Sequence, residues 1–247
     1  MSMLRIAVIG AAGRMGQAVV NAVAGRSNMQ VVAELGPGAT LDAGCADVAV
    51  DFSSAAASTA WALASAEAGG PALVIGSTGF DAAQETEIAR AAERIAIVKS
   101  GNFSLGVNLL LGLVEQAARA LPAYDIEVFE AHHRRKADAP SGTALMLGEA
   151  AARGRGIELA DAAVRGRDGD IGPRPEGAIG FSVMRAGGIV GEHSLILAAE
   201  DEVITLSHSA RSRDLFARGA LVAATWVAGR PPGLYAMRDV LGLPVSE

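Results

Sequence analysis

The sequence predicts an α/β architecture in two parts: an N-terminal doubly wound parallel sheet, then an α+β domain with a mixed or antiparallel sheet. Three observations carry this expectation. Short β-branched runs alternate with helical stretches over the first hundred residues, the order of strand–helix–strand units. The first run ends in a glycine-spaced turn that opens a helix. After residue 105 the alternation stops and strand-like runs follow one another without helices between them, which marks a second domain.

Arg5–Ile9 is a short β-branched run that halts at Gly10, the pattern of a buried parallel strand. A helix is predicted over Arg14–Ala24. Further strands are predicted at Gln30–Leu35, Val48–Phe52, Ala72–Ile75 and Ile95–Val98, with helices at Ala55–Ala68 and Asp81–Arg94. The connection from Gly36 to Asp47 is short and rich in breakers, so it reads as a loop with little helix. Ser104–Leu121 reads as a long helix that stops before Pro122. Tyr124–Ala131 reads as a strand, and Ser141 as the cap of a helix running to Arg153. The polar segment Arg165–Gly177 is a loop, and three antiparallel strands are expected at Ile179–Arg185, Gly191–Ala198 and Glu202–Ser209. A helix over Arg213–Gly229 and a tail at Leu234–Leu241 end the chain. Residues 1–104 thus form the first expected domain and 105–213 the second.

Composition narrows the function classes. Of the 247 residues 51% are hydrophobic and only 19% charged, as in a well-buried globular protein. A net charge of −6 argues against a nucleic-acid binder, which usually shows a basic face. A single cysteine, Cys45, cannot form an internal disulfide and has no neighbouring histidine, so it reads as an inert thiol in a reducing cytoplasm. No apolar run reaches the roughly 20 residues needed to span a bilayer. No signal peptide is visible, so a cytoplasmic protein with no membrane partner is expected.

The turn Gly10-Ala11-Ala12-Gly13-Arg14-Met15-Gly16 lies between the first strand and the first helix, the context in which a Rossmann-type glycine fingerprint has meaning. Gly10 permits the tight turn and Gly16 lets helix and strand pack closely. The helix start offers N–H groups and partial positive charge to a pyrophosphate. Ala12 departs from the usual middle glycine, and an ordinary strand–helix turn is the competing reading. Glu34, about twenty residues on, can accept both ribose hydroxyls of an adenosine and would repel a 2′-phosphate. The next residue is Leu35 and not a cation, which favours NADH over NADPH; a solvated strand-end glutamate is the alternative. Gly76-Ser77-Thr78-Gly79-Phe80 and Ser100-Gly101-Asn102-Phe103 follow later strands, at the carboxyl ends where open α/β sheets bind ligands.

The second dense signal is Glu130-Ala-His132-His133-Arg134-Arg135-Lys136-Ala-Asp138-Ala-Pro140-Ser141-Gly142-Thr143. A histidine can give a proton at neutral pH. Lys136 can stabilise developing negative charge or hold a carboxylate. Ser141-Gly142-Thr143 places N–H groups and a hydroxyl at a helix start, a seat for a substrate carboxylate. Asp138 either pairs with these cations or braces the turn. A metal site is disfavoured, because adjacent residues of an extended chain point opposite ways and the neighbours are cationic. A solvated basic loop is the plain alternative. His193 and His208 read as sheet histidines, while Arg211 and Arg213 are left open between surface and site edge.

The run Glu130–Ala144 resembles, without a break, the signature Glu-Ala-His-His-x-x-Lys-x-Asp-x-Pro-Ser-Gly-Thr-Ala of the 4-hydroxy-tetrahydrodipicolinate reductases (dihydrodipicolinate reductases) of bacterial lysine biosynthesis. The resemblance continues through the Gly-Arg-Met-Gly turn, Gly76–Phe80, Asn102-Phe103, Arg185-Ala-Gly, Gly191-Glu-His193 and Met237–Leu241. It implies NAD(P)H-dependent reduction of a cyclic dicarboxylate imine. On this resemblance His132 matches the proton donor and Lys136 its catalytic partner, while His133, Gly142 and Thr143 match substrate contacts. Gly10, Ala11, Ala12, Gly13, Arg14, Met15, Glu34, Gly76, Ser77, Thr78, Ser100, Gly101, Asn102 and Phe103 match cofactor segments. It further implies a homotetramer joined through the second domain, with residues 214–247 returning to the first. Leu35 stands where some members have an arginine, and Ser77 and Ser100-Gly101 vary within otherwise familiar loops. Rival readings are a two-domain dehydrogenase acting on an amino or hydroxy acid, and a dinucleotide sensor without turnover.

Overall fold

The computed structural model describes residues 3–40 and 44–244. The chain divides into two compact units, one made of the residues up to Leu105 and from Asp214 on, the other of Gly106–Arg213.

The first unit runs β1 (Leu4–Ile9), α1 (Arg14–Ala24), β2 (Met29–Leu35), β3 (Val48–Asp51), α2 (Ala55–Ala68), β4 (Ala72–Ile75), α3 (Ala82–Ala92) and β5 (Ala96–Lys99). These strands are parallel, in spatial order β5-β4-β3-β1-β2. Local signals set the helix ends. Ser54 accepts from the Ala57 N–H at the start of α2, and Asp81 with Gln84 forms a reciprocal cap at the start of α3. The described parts of the β2–β3 connection contain no helix, in line with its breaker-rich sequence.

The second unit runs α4 (Leu105–Ala120), β6 (Asp125–His132), α5 (Gly142–Arg155), α6 (Leu159–Ala162), β7 (Ala163–Val164), β8 (Ile179–Arg185), β9 (Gly191–Ala198) and β10 (Val203–Ala210). Its sheet has the order β10-β9-β6-β8-β7. The expected run of three consecutive antiparallel strands is corrected here. β9 and β10 do pair antiparallel, but β6 lies between β8 and β9, and β8 runs parallel to β6. The physical reason is the connection: parallel neighbours need a long crossover, and α5 with the segment after it supplies one between β6 and β8. The short α6 and β7 were not foreseen in the sequence.

The chain then returns to the first unit through α7 (Asp214–Val227), β11 (Gly233–Tyr235) and α8 (Met237–Val240). β11 pairs parallel with β5 and extends the first sheet to six strands, so part of the expected tail is an edge strand.

Each sheet face has its own core. Ile6, Val8, Val50 and Val98 pack with Val19 and Val23 of α1 and with Ala220, Leu221 and Ala224 of α7. On the opposite face Ile9, Leu73, Ile75 and Ile97 pack with Ala62 and Ala66 of α2 and Ile88 and Ala92 of α3. In the second unit Ile126, Val128, Ile179, Phe181, Leu195 and Leu197 lie under α4 and α5, against Leu110, Val114, Leu147 and Ala151. Among the described residues no helix is long and apolar enough to cross a membrane.

Candidate active site

In the first unit the register brings the carboxyl ends of the strands into one row. Ile9 pairs with Leu35 and Asp51, Asp51 with Ile75, and Ile75 with Lys99. The loops carrying Gly10–Gly13, Ser53–Ser54, Gly76–Gly79 and Ser100–Phe103 therefore leave the same edge of the sheet. β1 sits where the strand order reverses, with β2 on one side and β3 on the other, which is the switch point at which such sheets bind ligands.

Gly10 has φ +73°, a value that side chains other than glycine adopt at a cost. A Cβ there would also press on Ser53 at 3.2 Å. Gly16 is packed so tightly that a Cβ would overlap the Gly10 carbonyl and the Ala11 backbone. Helix α1 therefore starts directly against the turn. Gly13 caps it with no side-chain hydrogen bond, so the first-turn N–H groups have no side-chain acceptor. Ala12, Gly13 and Arg14 are exposed, Met15 is half-buried and Ala11 is buried. The buried Asp51 holds the neighbouring loop by accepting from the Ser53 amide (2.8 Å) and hydroxyl (2.6 Å). Glu34 is exposed at the end of β2, and Leu35 beside it is buried.

A cavity of about 650 Å³ lies beside this turn, lined by Ile9, Gly10, Gly36–Thr40, Ser53, Ser54 and one face of α2 including Trp61. Farther along the row, Gly76 is pressed against the Phe52 ring, and Phe52 meets Phe103 edge-on at 5.7 Å. Ser77 is buried and shares a 2.5 Å hydrogen bond with Ser58, while Thr78 is exposed. Ser100 Oγ donates to the Asn102 carbonyl and accepts from its amide, and the Asn102 side chain accepts from the Ser104 amide at 2.8 Å. Gly101 between them is exposed. An uncapped helix start over a glycine turn, an adjoining cavity and an acidic strand end fit a dinucleotide: pyrophosphate at α1, adenosine toward Glu34.

In the second unit a period-two strand pattern builds the other cluster. Ile126, Val128, Glu130 and His132 share one face of β6, the face under the helices. The first two are core residues. The last two are polar, and their register partners on that face are His193 opposite Glu130 and Arg185 opposite His132. The covered face thus turns from apolar to ionic at one end of the sheet.

Glu130 has no exposed surface. Its Oε2 lies 2.6 Å from His132 Nδ1, its Oε1 accepts from the Ser141 amide at 2.9 Å, and Arg185 donates to both oxygens at 2.8 and 2.7 Å. Burial alone would raise its pKa, but the hydrogen bonds from Arg185, His132 and Ser141 outweigh that and hold the carboxyl below its usual range. His132 meets His193 edge-on at 5.0 Å. A Cβ on Gly191 would come within 3.2 Å of His132 Nε2, so the glycine keeps space open beside that nitrogen.

His193, only 5% exposed, shares a 3.1 Å hydrogen bond with Ser141 Oγ. Burial, and next the charge of His132, push its pKa down to about 4. The expectation of a sheet histidine holds for its backbone, and the tertiary fold adds that it stands beside His132. His208 pairs with His193 on the far side, half-buried. Lys136 Nζ bonds both oxygens of Asp138 at 2.8 Å, which decides between the two readings of Asp138 in favour of pairing. Arg213 and Arg211 are both exposed, and Arg213 borders this cluster by donating to His133 Nε2 at 3.1 Å. Burial first, then the charges of Arg213 and Arg135, lower the pKa of His133. Ser141 caps α5 by accepting from the Ala144 amide, with Gly142 and Thr143 following in the first turn. Nothing would crowd a Cβ on Gly142, so the space over this helix start is open.

Sequence reasoning gave Glu130 and Arg185 no separate role and placed His193 only in a sheet, whereas the cap read for Ser141 is present at the start of α5. For Glu130 a signal was present: a carboxylate in the inward phase of the alternating pattern Ile126-Glu-Val128-Phe-Glu130.

The family model described as dihydrodipicolinate reductase, N-terminus, matches residues 4–103, and the one for the C-terminus matches 106–241. A 4-hydroxy-tetrahydrodipicolinate reductase of Caulobacter vibrioides is 60% identical over 97% of this chain and 97% of that protein. One from Rhizobium rhizogenes is 50% identical with the same coverage of both chains. A solved dihydrodipicolinate reductase from Paenisporosarcina sp. TG-14, described as dipicolinate-bound, shares the fold with a TM-score of 0.77 at 24% identity, covering 95% of this chain and 97% of that one. With family models over both units and a relative 60% identical along almost its whole length, this chain belongs to the dihydrodipicolinate reductase family, NAD(P)H-dependent oxidoreductases of lysine and diaminopimelate biosynthesis.

Proposed function

We propose that this chain reduces 4-hydroxy-tetrahydrodipicolinate to tetrahydrodipicolinate, with His132 as the proton donor. The substrate loses its hydroxyl as water and takes up a hydride and a proton. A bound nicotinamide dinucleotide supplies the hydride. The observation that carries the reading is the buried Glu130–His132 pair, which leaves His132 Nε2 beside the space kept by Gly191. Lys136 then stabilises negative charge on the substrate, and His133 with Gly142 and Thr143 at the start of α5 holds a carboxylate.

In the same reading residues 1–104 with 214–247 are the dinucleotide domain, and 105–213 the substrate and oligomerisation domain. The turn Gly10–Met15 takes the pyrophosphate on its backbone N–H groups. Gly76, Ser77 and Thr78 with Ser100, Gly101, Asn102 and Phe103 flank the nicotinamide. Glu34 binds the adenosine ribose, and the absence of a cation at Leu35 favours NADH over NADPH. The chain acts as a cytoplasmic homotetramer on a small cyclic dicarboxylate.

The test is oxidation of NADH and NADPH followed by absorbance, with substrate generated by the preceding synthase reaction. The expected result is turnover with a higher kcat/KM for NADH. His132→Gln is expected to lower kcat by about 10²–10⁴-fold while dinucleotide Kd is kept. Wild-type turnover in that variant would remove His132 from proton donation.

A further inference from the structure

We infer that Glu130, clamped by Arg185, is the positioning residue that sets the tautomer and orientation of His132. The inference rests on the reading of His132 as proton donor and goes beyond it. It assigns a task to two residues that themselves lie behind the reacting group.

Glu130 makes four hydrogen bonds: two from donors of the Arg185 guanidinium, one from the Ser141 amide donor and one shared with His132 Nδ1. Three of these donors cannot act as acceptors, so the carboxylate is best served as an anion, and an anion only accepts. The proton in the 2.6 Å contact with His132 therefore sits on Nδ1. This fixes the neutral imidazole with Nδ1 protonated and turns Nε2 toward the space at Gly191. The arrangement follows the same logic by which a buried aspartate orients the histidine of a serine-protease triad.

Arg185 is the second half of the device. It stands opposite His132 in the parallel pairing of β6 and β8, so its fork reaches Glu130 from the neighbouring strand. The same guanidinium donates to the Asp138 carbonyl at 2.7 Å, and Glu130 holds the Ser141 amide from the other side. One ion pair, a buried carboxylate with a half-buried guanidinium, thus fixes the histidine and both ends of the Asp138–Ser141 turn that leads into α5. Because residues 130 and 132 lie on the same face of one strand, and Arg185 is in register, the three side chains need no loop to bring them together. The charged and titratable groups around the imidazole are Glu130 on its own strand, His133 next in the chain, Arg185 on β8, and His193 on β9.

Two measurements test this. With only four histidines in the chain, ¹⁵N-histidine NMR of the wild-type protein above neutral pH reads each tautomer, and His132→Gln assigns the signal. The expected result is His132 protonated on Nδ1; a predominantly Nε2-protonated ring overturns the proposal, with no variant of Glu130 needed. The second is Glu130→Gln, which keeps the shape and removes the charge. Its kcat is expected to fall on the order of 10²-fold, the scale of a misplaced general acid. Substrate KM and dinucleotide Kd are expected to stay near their wild-type values. A merely structural role would not show as a loss of kcat with KM and dinucleotide Kd kept, so wild-type kcat, or a loss confined to KM, overturns the proposal. Should Glu130→Gln not fold, the wild-type tautomer decides. Failure of the function reading is separate: it shows as full turnover in His132→Gln.

Discussion

The two units build their functional edges from opposite materials. At the carboxyl edge of the first sheet the working surface is main chain: Gly10, Gly13 and Gly16 clear side chains away so that an uncapped helix start is presented. At the polar end of the second sheet the surface is side chains, held by a buried carboxylate that takes three N–H donors and meets His132 Nδ1 at 2.6 Å. The first edge is expected to respond most to added volume and the second most to lost charge. Backbone sites suit a cofactor bound the same way in every turnover, and side-chain sites suit a step in which a proton moves.

The largest effect that separates the two edges should be pH-dependent. His193 has its pKa pushed down to about 4 in the folded state, against 6.5 when unfolded. The unfolded chain therefore takes up this proton first as pH falls. Stability from keeping His193 neutral is fully present above pH 6.5 and is lost on descending toward pH 4, by at most roughly 3 kcal/mol. Urea unfolding across this range should show the loss in wild type, and His193→Gln should flatten it. An unchanged acid slope in the variant would mean that the second unit's polar end carries no such strain.

A smaller effect is expected from volume at the first edge. Gly16→Ala forces α1 off the Gly10 turn and should lower stability by about 1–3 kcal/mol, the range for overpacked sites. Dinucleotide Kd should rise about tenfold, equivalent to 1.4 kcal/mol. Substrate KM should stay as in wild type. If the variant weakens dinucleotide and substrate alike, the contrast between the edges fails. The smallest effect is expected at α5. Thr143→Val should raise substrate KM by about tenfold with kcat nearly kept, in line with one lost hydrogen bond to a charged group. An unchanged KM would take Thr143 out of the carboxylate seat.

Most of the first sheet was legible because β1, β3, β4 and β5 are short, mainly apolar runs bounded by turn residues, and the helices α2 and α3 carry their own caps at Ser54 and Asp81. The histidine run was legible as a dense local motif. The pairing of β8 was not, since its neighbour β6 is more than forty residues earlier in the chain and no local pattern names it. The strand character of Gly233–Tyr235 was hidden for a similar reason: three residues become a strand only by pairing with β5.

The sequence by itself determined the order of elements, the glycine turn and which residues could donate a proton or hold a carboxylate, because backbone conformation and side-chain chemistry are local properties. Only the tertiary structure decided which groups stand behind His132. Arg185 lies 55 residues from Glu130, and His193 lies 52 from Ser141. Strand register brings them together, and register is set by burying one apolar face of the whole sheet at once.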